Sequence, residues 1–296
     1  MFTKAFALLA LMAVPIGAPA AAPTSFEIGS VHVDRYGSGS PALVLIPGLT
    51  DSGAVWGTAV ARYESTHTIY VLTLPGFGGR APVAAPMLDT VDRDIAAFLP
   101  KANRPVIVGH SMGGFIAIRL AEEHSDLLRG AICIDGLPVF PGMDAMTAQT
   151  RAYIATMAGQ RIANATQAQF EASERRQVSY MTEPQNVKTA LRVAEGANIA
   201  ATAAYMQEMM SADLRPALSK ITVPLLEIGP FDASVDPQNP YVTMKTLAEK
   251  QAYYQQLLKN DPTAEVRMVN DSRHFIMLDQ PTQLFSAIDA FLASLH

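Results

Sequence analysis

The sequence predicts an α/β fold: a mostly parallel, eight-stranded sheet flanked by helices and interrupted once by a helical insertion. Three observations predict it. Short, continuous β-branched and aliphatic runs recur along the chain, the pattern of strands covered on both faces. Helical periodicity fills most of the intervals between them, as parallel sheets with right-handed crossovers require. The alternation then lapses between about residues 137 and 216, where Ala, Gln and Met dominate.

Taken in order, the polar–apolar alternation of Phe26-Glu27-Ile28 and Val31-His32-Val33 predicts two short antiparallel strands, closed by Gly37-Ser38-Gly39-Ser40. Ala42–Ile46, Thr68–Leu72, Val106–Val108, Ala131–Ile134, Val223–Ile228 and Glu265–Val269 supply the buried strands. Helices are expected over Ala54–Tyr63, Thr90–Leu99, Met112–Glu123, Thr243–Lys259 and Pro281–Leu295. In the last, Leu284, Phe285, Ile288, Phe291, Leu292 and Leu295 recur at helical spacing, with Pro281 in the first turn. The insertion carries Met143, Met146, Met157, Met181, Met206, Met209 and Met210. Flexible thioethers suit either a plain core or an adaptable apolar pocket wall. The expected division is a sheet core of residues 23–136 and 217–296, with residues 137–216 folded over the carboxyl edge of the sheet as a helical cap.

Residues 1–22 are of another kind. Lys4, the apolar stretch Ala5–Val14, Pro15 and the small residues Ala18-Pro19-Ala20 compose a secretory signal peptide. Cleavage is expected near Ala20; Ala22 is less favourable because Pro23 follows. The apolar stretch is too short to span a bilayer, so the expected destination is secreted or periplasmic, with no stable membrane insertion once the leader is gone. Cys133 is the only cysteine, cannot bridge within the chain, and lies in a strand-like run as a small buried hydrophobe. Apolar residues at 49% and charged residues at 17% suit a packed core and exclude disorder. A net charge of −5 without a basic stripe argues against nucleic acid as a partner.

The chemistry centres on Gly109-His110-Ser111-Met112-Gly113, directly behind Val106-Ile107-Val108 and ahead of Phe115-Ile116-Ala117-Ile118. Strand, Gly-x-Ser-x-Gly and helix form a nucleophile elbow, in which a sharp turn projects the Ser111 hydroxyl. A hydroxyl nucleophile needs a general base and a group that orients that base. His32 and His67 lie in or beside early strands, His124 ends the elbow helix, His296 is terminal, and His110 points away from the hydroxyl. His274 remains, in a polar loop after the last strand and before the last helix. Asp232, just beyond Ile228-Gly229-Pro230-Phe231, is the expected acid; Asp135 and Asp236 also end or follow strands and stay open as alternatives. An oxyanion would rest on the backbone N–H of Met112 and of Leu49, in the loop Pro47-Gly48-Leu49-Thr50-Asp51-Ser52-Gly53. No His-x-x-x-His, Cys pair or matching acid cluster suggests a metal, and no cofactor is expected.

With Pro47-Gly48-Leu49, Leu74-Pro75-Gly76-Phe77-Gly78, Gly109–Gly114, Val223–Gly229 with Asp232, and His274–Pro281, the chain resembles the α/β-hydrolase superfamily from about Ser25 onward. The insertion matches least, and Pro47 stands where members more often have His. The resemblance implies a serine hydrolase acting on a small acyl substrate, a carboxylic ester first, through an acyl-enzyme on Ser111. The same scaffold serves lactones, amides at peptide termini, carbon–carbon cleavage and cofactor-free haloperoxidation, and a binding protein that has lost catalysis is the alternative outside enzymes. Ser at the elbow sets the chain apart from epoxide hydrolases and haloalkane dehalogenases, which carry Asp there.

Overall fold

The structure is a computed structural model that describes residues 22–239 and 242–295; the expected signal peptide lies outside the described residues except for Ala22. Its sheet contains β1 (Thr24–Ile28), β2 (Val31–Tyr36), β3 (Leu43–Ile46), β4 (Ile69–Thr73), β5 (Val106–His110), β6 (Gly130–Ile134), β7 (Leu225–Phe231) and β8 (Ala264–Asn270). They lie in the order β1-β2-β4-β3-β5-β6-β7-β8. β1 and β2 pair antiparallel, as do β2 and β4, and every pairing from β4 across to β8 is parallel. The two-residue side-chain period divides the core. Val44 and Ile46 face a layer built on Phe115 and Ile116, whereas Leu43 and Leu45 face Trp56, Leu284 and Ile288. All four side chains are buried, which is why the run contains no polar residue.

Helices α1 (Gly57–Tyr63), α2 (Met87–Phe98) and α3 (Met112–His124) occupy the first half of the chain, and a short 3-10 turn over Gly53–Trp56 leads into α1. Helix α2 starts three residues earlier than its periodicity indicates. The Glu208 carboxylate, far along the chain, accepts from the N–H groups of Met87 and Leu88 at 2.8 Å each, satisfying donors that a helix start leaves free.

The interval between β6 and β7 holds α4 (Ala148–Ala163), α5 (Gln167–Met181), α6 (Val187–Val193) and α7 (Ile199–Ser211). Thr147 and Asn198 cap α4 and α7, and Thr166 with Gln169 forms a capping box on α5. A narrow neck closes this excursion, where Val139 bridges Asp213 and Leu214 N–H donates to the Pro138 carbonyl at 2.8 Å. Of the methionines, Met143, Met209 and Met210 are buried while Met157 is exposed.

The chain finishes with α8 (Leu247–Leu258), α9 (Ile276–Asp279) and α10 (Pro281–Ser294). Helix α8 begins later than its periodicity indicates, because Thr246 and Glu249 form a capping box that fixes its first turn.

Candidate active site

Strand β5 delivers Ser111 to the carboxyl edge of the sheet in a conformation foreign to most side chains, φ 54° and ψ −118°. The surroundings hold it there. Ser111 N–H donates to the Ile134 carbonyl at 2.9 Å, and its own carbonyl accepts from Gly114 and Phe115 as α3 begins. The turn is tight enough that a Cβ on Gly109 would stand 2.0 Å from the Gly113 carbonyl oxygen, so only glycine fits. Ser111 is half-buried, and its hydroxyl has no hydrogen-bond partner among the described residues.

His274 lies in the loop between β8 and α9, with its ring packed on that of His110 at a centroid distance of 4.6 Å. Its Nδ1 meets Asp135 Oδ2 at 2.5 Å. Asp135 directly follows β6, the neighbour of β5, and adopts a left-handed φ of 51° that an Asp tolerates better than most residues. Its other oxygen accepts from the Tyr254 hydroxyl, presented by α8. Burial alone would raise the Asp135 carboxyl, but the hydrogen bond and charge of His274, the charge of Lys250 and the Tyr254 hydroxyl outweigh it and hold the group well below the usual carboxylate range.

The acid expected at Asp232 is therefore corrected: the structure brings Asp135 to His274, and Asp232 elsewhere. Asp232 Oδ2 accepts from Arg273 Nε at 2.8 Å, and Oδ1 accepts from the Ser234 N–H and hydroxyl at 2.7 and 2.6 Å. It caps its own turn and neutralises the cation beside His274. Asp236, the other alternative, accepts from Asp232 N–H at 2.8 Å and pairs with Lys250 at 2.6 Å. In a parallel sheet Asp135 and Asp232 end adjacent strands at the same edge, so chain order cannot choose between them. Arg273 is the available signal, since a cation next to the base claims a nearby carboxylate for itself.

Leu49 and Met112 flank Ser111 from the loop after β3 and from the first residue of α3. Neither backbone N–H has an acceptor among the described residues, so both can donate to a group outside the chain. The loop itself is braced. Thr50, at φ 69°, places its hydroxyl 2.6 Å from the Leu49 carbonyl and 3.2 Å from Glu174 Oε2 of α5. Ser52 N–H and Oγ both reach the Val193 carbonyl, at 2.8 and 3.0 Å. Burial and the nearby Asp51 raise the Glu174 carboxyl, against the pull of Thr50.

Asp279, at the end of α9, ties the loop of His274 to the inserted helices. It accepts from Thr182 Oγ1 at 2.6 Å, Glu183 N–H at 3.0 Å, Asn186 Nδ2 at 2.9 Å and Arg273 N–H at 3.1 Å. Sequence reasoning passed over Asp279, Tyr254 and Glu227. The last is a fully buried carboxyl in β7 that accepts from Gly136 N–H at 3.3 Å. Burial first, and then the Asp135 charge, push the Glu227 carboxyl well above the usual Glu range. A lone Glu within the apolar run Leu225–Phe231 was its visible mark. Cys133 is buried, its thiol pushed well up by burial and placed 3.5 Å from the Gly114 carbonyl. Among the described residues no group of His, Cys, Asp and Glu could hold a metal ion, and no helix is long and apolar enough to cross a membrane.

Comparison with known proteins places this geometry. The alpha/beta hydrolase family profile matches residues 43–288. The pimeloyl-[acyl-carrier protein] methyl ester esterase of Vibrio vulnificus (strain CMCP6) is 29% identical over 217 residues, covering 69% of this chain and 81% of that protein. Its counterpart in Aeromonas hydrophila subsp. hydrophila is 36% identical over 118 residues, and the match spans 39% of this chain and less than half, 45%, of that relative. An esterase from Exiguobacterium antarcticum superposes with a TM-score of 0.72 at 17% identity, over 89% of this chain and 96% of that one, a likeness of fold.

Proposed function

This chain belongs to the alpha/beta hydrolase family, and we propose that it is an exported serine hydrolase that cleaves small carboxylic esters through an acyl-enzyme on Ser111. The observation that carries the reading is the His274 Nδ1–Asp135 Oδ2 hydrogen bond of 2.5 Å, formed at the edge where the Ser111 elbow opens. That bond fixes the proton on Nδ1 and leaves Nε2 free to accept. Ester hydrolases among the relatives support the choice of bond.

In the proposed reaction Ser111 Oγ attacks the ester carbonyl as its proton passes to His274 Nε2. Asp135 stabilises the resulting imidazolium, and the N–H groups of Leu49 and Met112 receive the oxyanion. The tetrahedral species collapses by breaking the bond to the alkoxy oxygen, which leaves as the alcohol with the proton from Nε2. Water then gives a proton to the same nitrogen and attacks the acyl carbon. Collapse releases the carboxylic acid and returns the proton to Ser111. The Ser111 hydroxyl does not need its bond to imidazole beforehand, because such contacts commonly tighten only when substrate arrives.

The test is turnover of a short-chain aryl ester together with labelling by a fluorophosphonate. The parent should hydrolyse the ester and take up one label on Ser111, and Ser111→Ala should do neither. Ester hydrolysis that survives in Ser111→Ala would overturn the reading. Export rests on the leader composition alone. Expressed with and without residues 1–22 in a Gram-negative host, only the full chain should reach the periplasm, shortened near Ala20.

A further inference from the structure

His110 and Asp51 stand directly behind the proposed oxyanion loop and are left unused by the reaction above. His110 is 1% exposed and Asp51 2% exposed, yet both are polar. His110 Nε2 lies 3.1 Å from the His274 carbonyl oxygen. A carbonyl only accepts, so Nε2 carries the hydrogen. The other ring nitrogen, Nδ1, has no hydrogen-bond partner and faces Asp51 Oδ2 at 3.7 Å. No other side chain or N–H among the described residues donates to the Asp51 carboxylate. With Nε2 protonated, a neutral ring would aim its unpartnered, buried Nδ1 lone pair at a nearly buried anion. A proton between them removes the conflict, whether it resides on nitrogen or on oxygen.

The placement gives that proton a task. Gly48 lies against both groups and the nucleophile: a Cβ there would come within 3.1 Å of His110 Nδ1, 3.2 Å of Asp51 Oδ2 and 3.3 Å of Ser111 Cβ. Asp51 N–H also donates to the Gly48 carbonyl at 3.2 Å, so the Asp51 position sets the Gly48–Leu49 peptide. We propose that Asp51 and His110 are positioning residues for ester hydrolysis: one proton held between Asp51 Oδ2 and His110 Nδ1 fastens the Leu49 loop to the elbow and, through Nε2, to the loop of His274. The inference rests on the reading that Leu49, Ser111 and His274 carry the chemistry. The charged and titratable groups facing the pair are His274 from its own loop, with Asp135 behind it, and Glu174 from α5. Burial first and then His274 oppose a charged His110, and Asp51 favours one.

The test compares Asp51→Asn, whose amide can donate to Nδ1 at any pH, with Asp51→Ala, which cannot. Removing one oxyanion donor costs on the order of 10²–10³-fold in kcat, and a displaced donor costs part of that. Asp51→Ala should therefore lose roughly 30-fold in kcat with KM unchanged, and Asp51→Asn roughly 3-fold. The parent kcat should carry a loss on raising pH as the shared proton leaves, and the Asn variant should lack that loss. A histidine-labelled NMR spectrum gives a readout that needs no turnover: an exchange-protected proton assigned to His110 Nδ1, distinct from those on His110 Nε2 and His274 Nδ1, present in the parent and absent from Asp51→Ala. Equal losses in the two variants, an effect on KM alone, or a ring-proton spectrum indifferent to Asp51 would each overturn the clamp. A parent inactive on every ester would instead overturn the proposed function, while the spectrum still reports on the proton.

Discussion

Asp135→Asn and Asp232→Asn make the sharpest paired experiment on this molecule. In the folded chain Asp135 Oδ2 is 2.5 Å from His274 Nδ1, whereas Asp232 spends its oxygens on Arg273 and Ser234. In the proposed reaction His274 takes the Ser111 proton and becomes a cation beside the Asp135 carboxylate. Two unit charges about 4 Å apart at an effective dielectric near 20 interact by roughly 4 kcal/mol. Losing that from the transition state alone lowers kcat about 10³-fold, since each 1.36 kcal/mol is a factor of about ten. Asparagine adds a second fault: its amide N–H can donate to Nδ1, driving the ring proton to Nε2, where it blocks the proton transfer from Ser111. The expected loss for Asp135→Asn is therefore about 10³–10⁴-fold in kcat with little change in KM. Asp232→Asn should stay within about threefold in kcat, because Arg273 keeps Glu183 as a partner at 3.4 Å and Asp232 makes no contact with Ser111 or His274. Steady-state hydrolysis of a short aryl ester, with active sites counted by fluorophosphonate, separates the two. A larger loss from Asp232→Asn than from Asp135→Asn would refute the assignment of the acid.

Further outcomes follow from groups behind the front line. Tyr254→Phe removes a hydrogen bond to an ionised carboxylate and should lower kcat about tenfold with KM unchanged on the same substrate. Glu227 keeps its proton in the folded chain at pH values where the unfolded chain has released it, so its contribution to stability falls as pH rises above about 4.3, by at most about 1.4 kcal/mol per pH unit. Glu227→Gln cannot titrate, and urea unfolding between pH 5 and 8 should show a correspondingly flatter decline; an unchanged slope would contradict a neutral Glu227. Asp279→Ala strands the donors of Thr182, Glu183, Asn186 and Arg273 and should cost about 3 kcal/mol in urea unfolding, at roughly 1 kcal/mol per lost bond less what water restores.

The sheet was legible because its central strands are buried on both faces, which forces uninterrupted apolar runs such as Leu43–Ile46 and Val106–Val108. The elbow was legible for a related reason: glycine at 109 and 113 is imposed by backbone contact and cannot drift without breaking the turn. Boundaries set by remote partners were not. Nothing near Met87 in the chain announces that Glu208 will cap α2. The partner of His274 was not legible for the same physical reason, since two carboxylates end neighbouring strands and the folded chain pairs Asp135 with His274 and Asp232 with Arg273. Asp135 also hid inside an apolar context, where a buried carboxylate is tolerable only because His274 and Tyr254 both donate to it.

The Asp279 junction bears on how such a scaffold could be altered. One carboxylate grips the backbone beside His274 and the residues that follow α5, so the inserted helices and the loop of the imidazole share an anchor. Replacing those helices at the Pro138–Leu214 neck would leave this anchor without its donors. Any transplant that aims to change which esters enter has to carry along its own hydroxyl and amide donors for position 279.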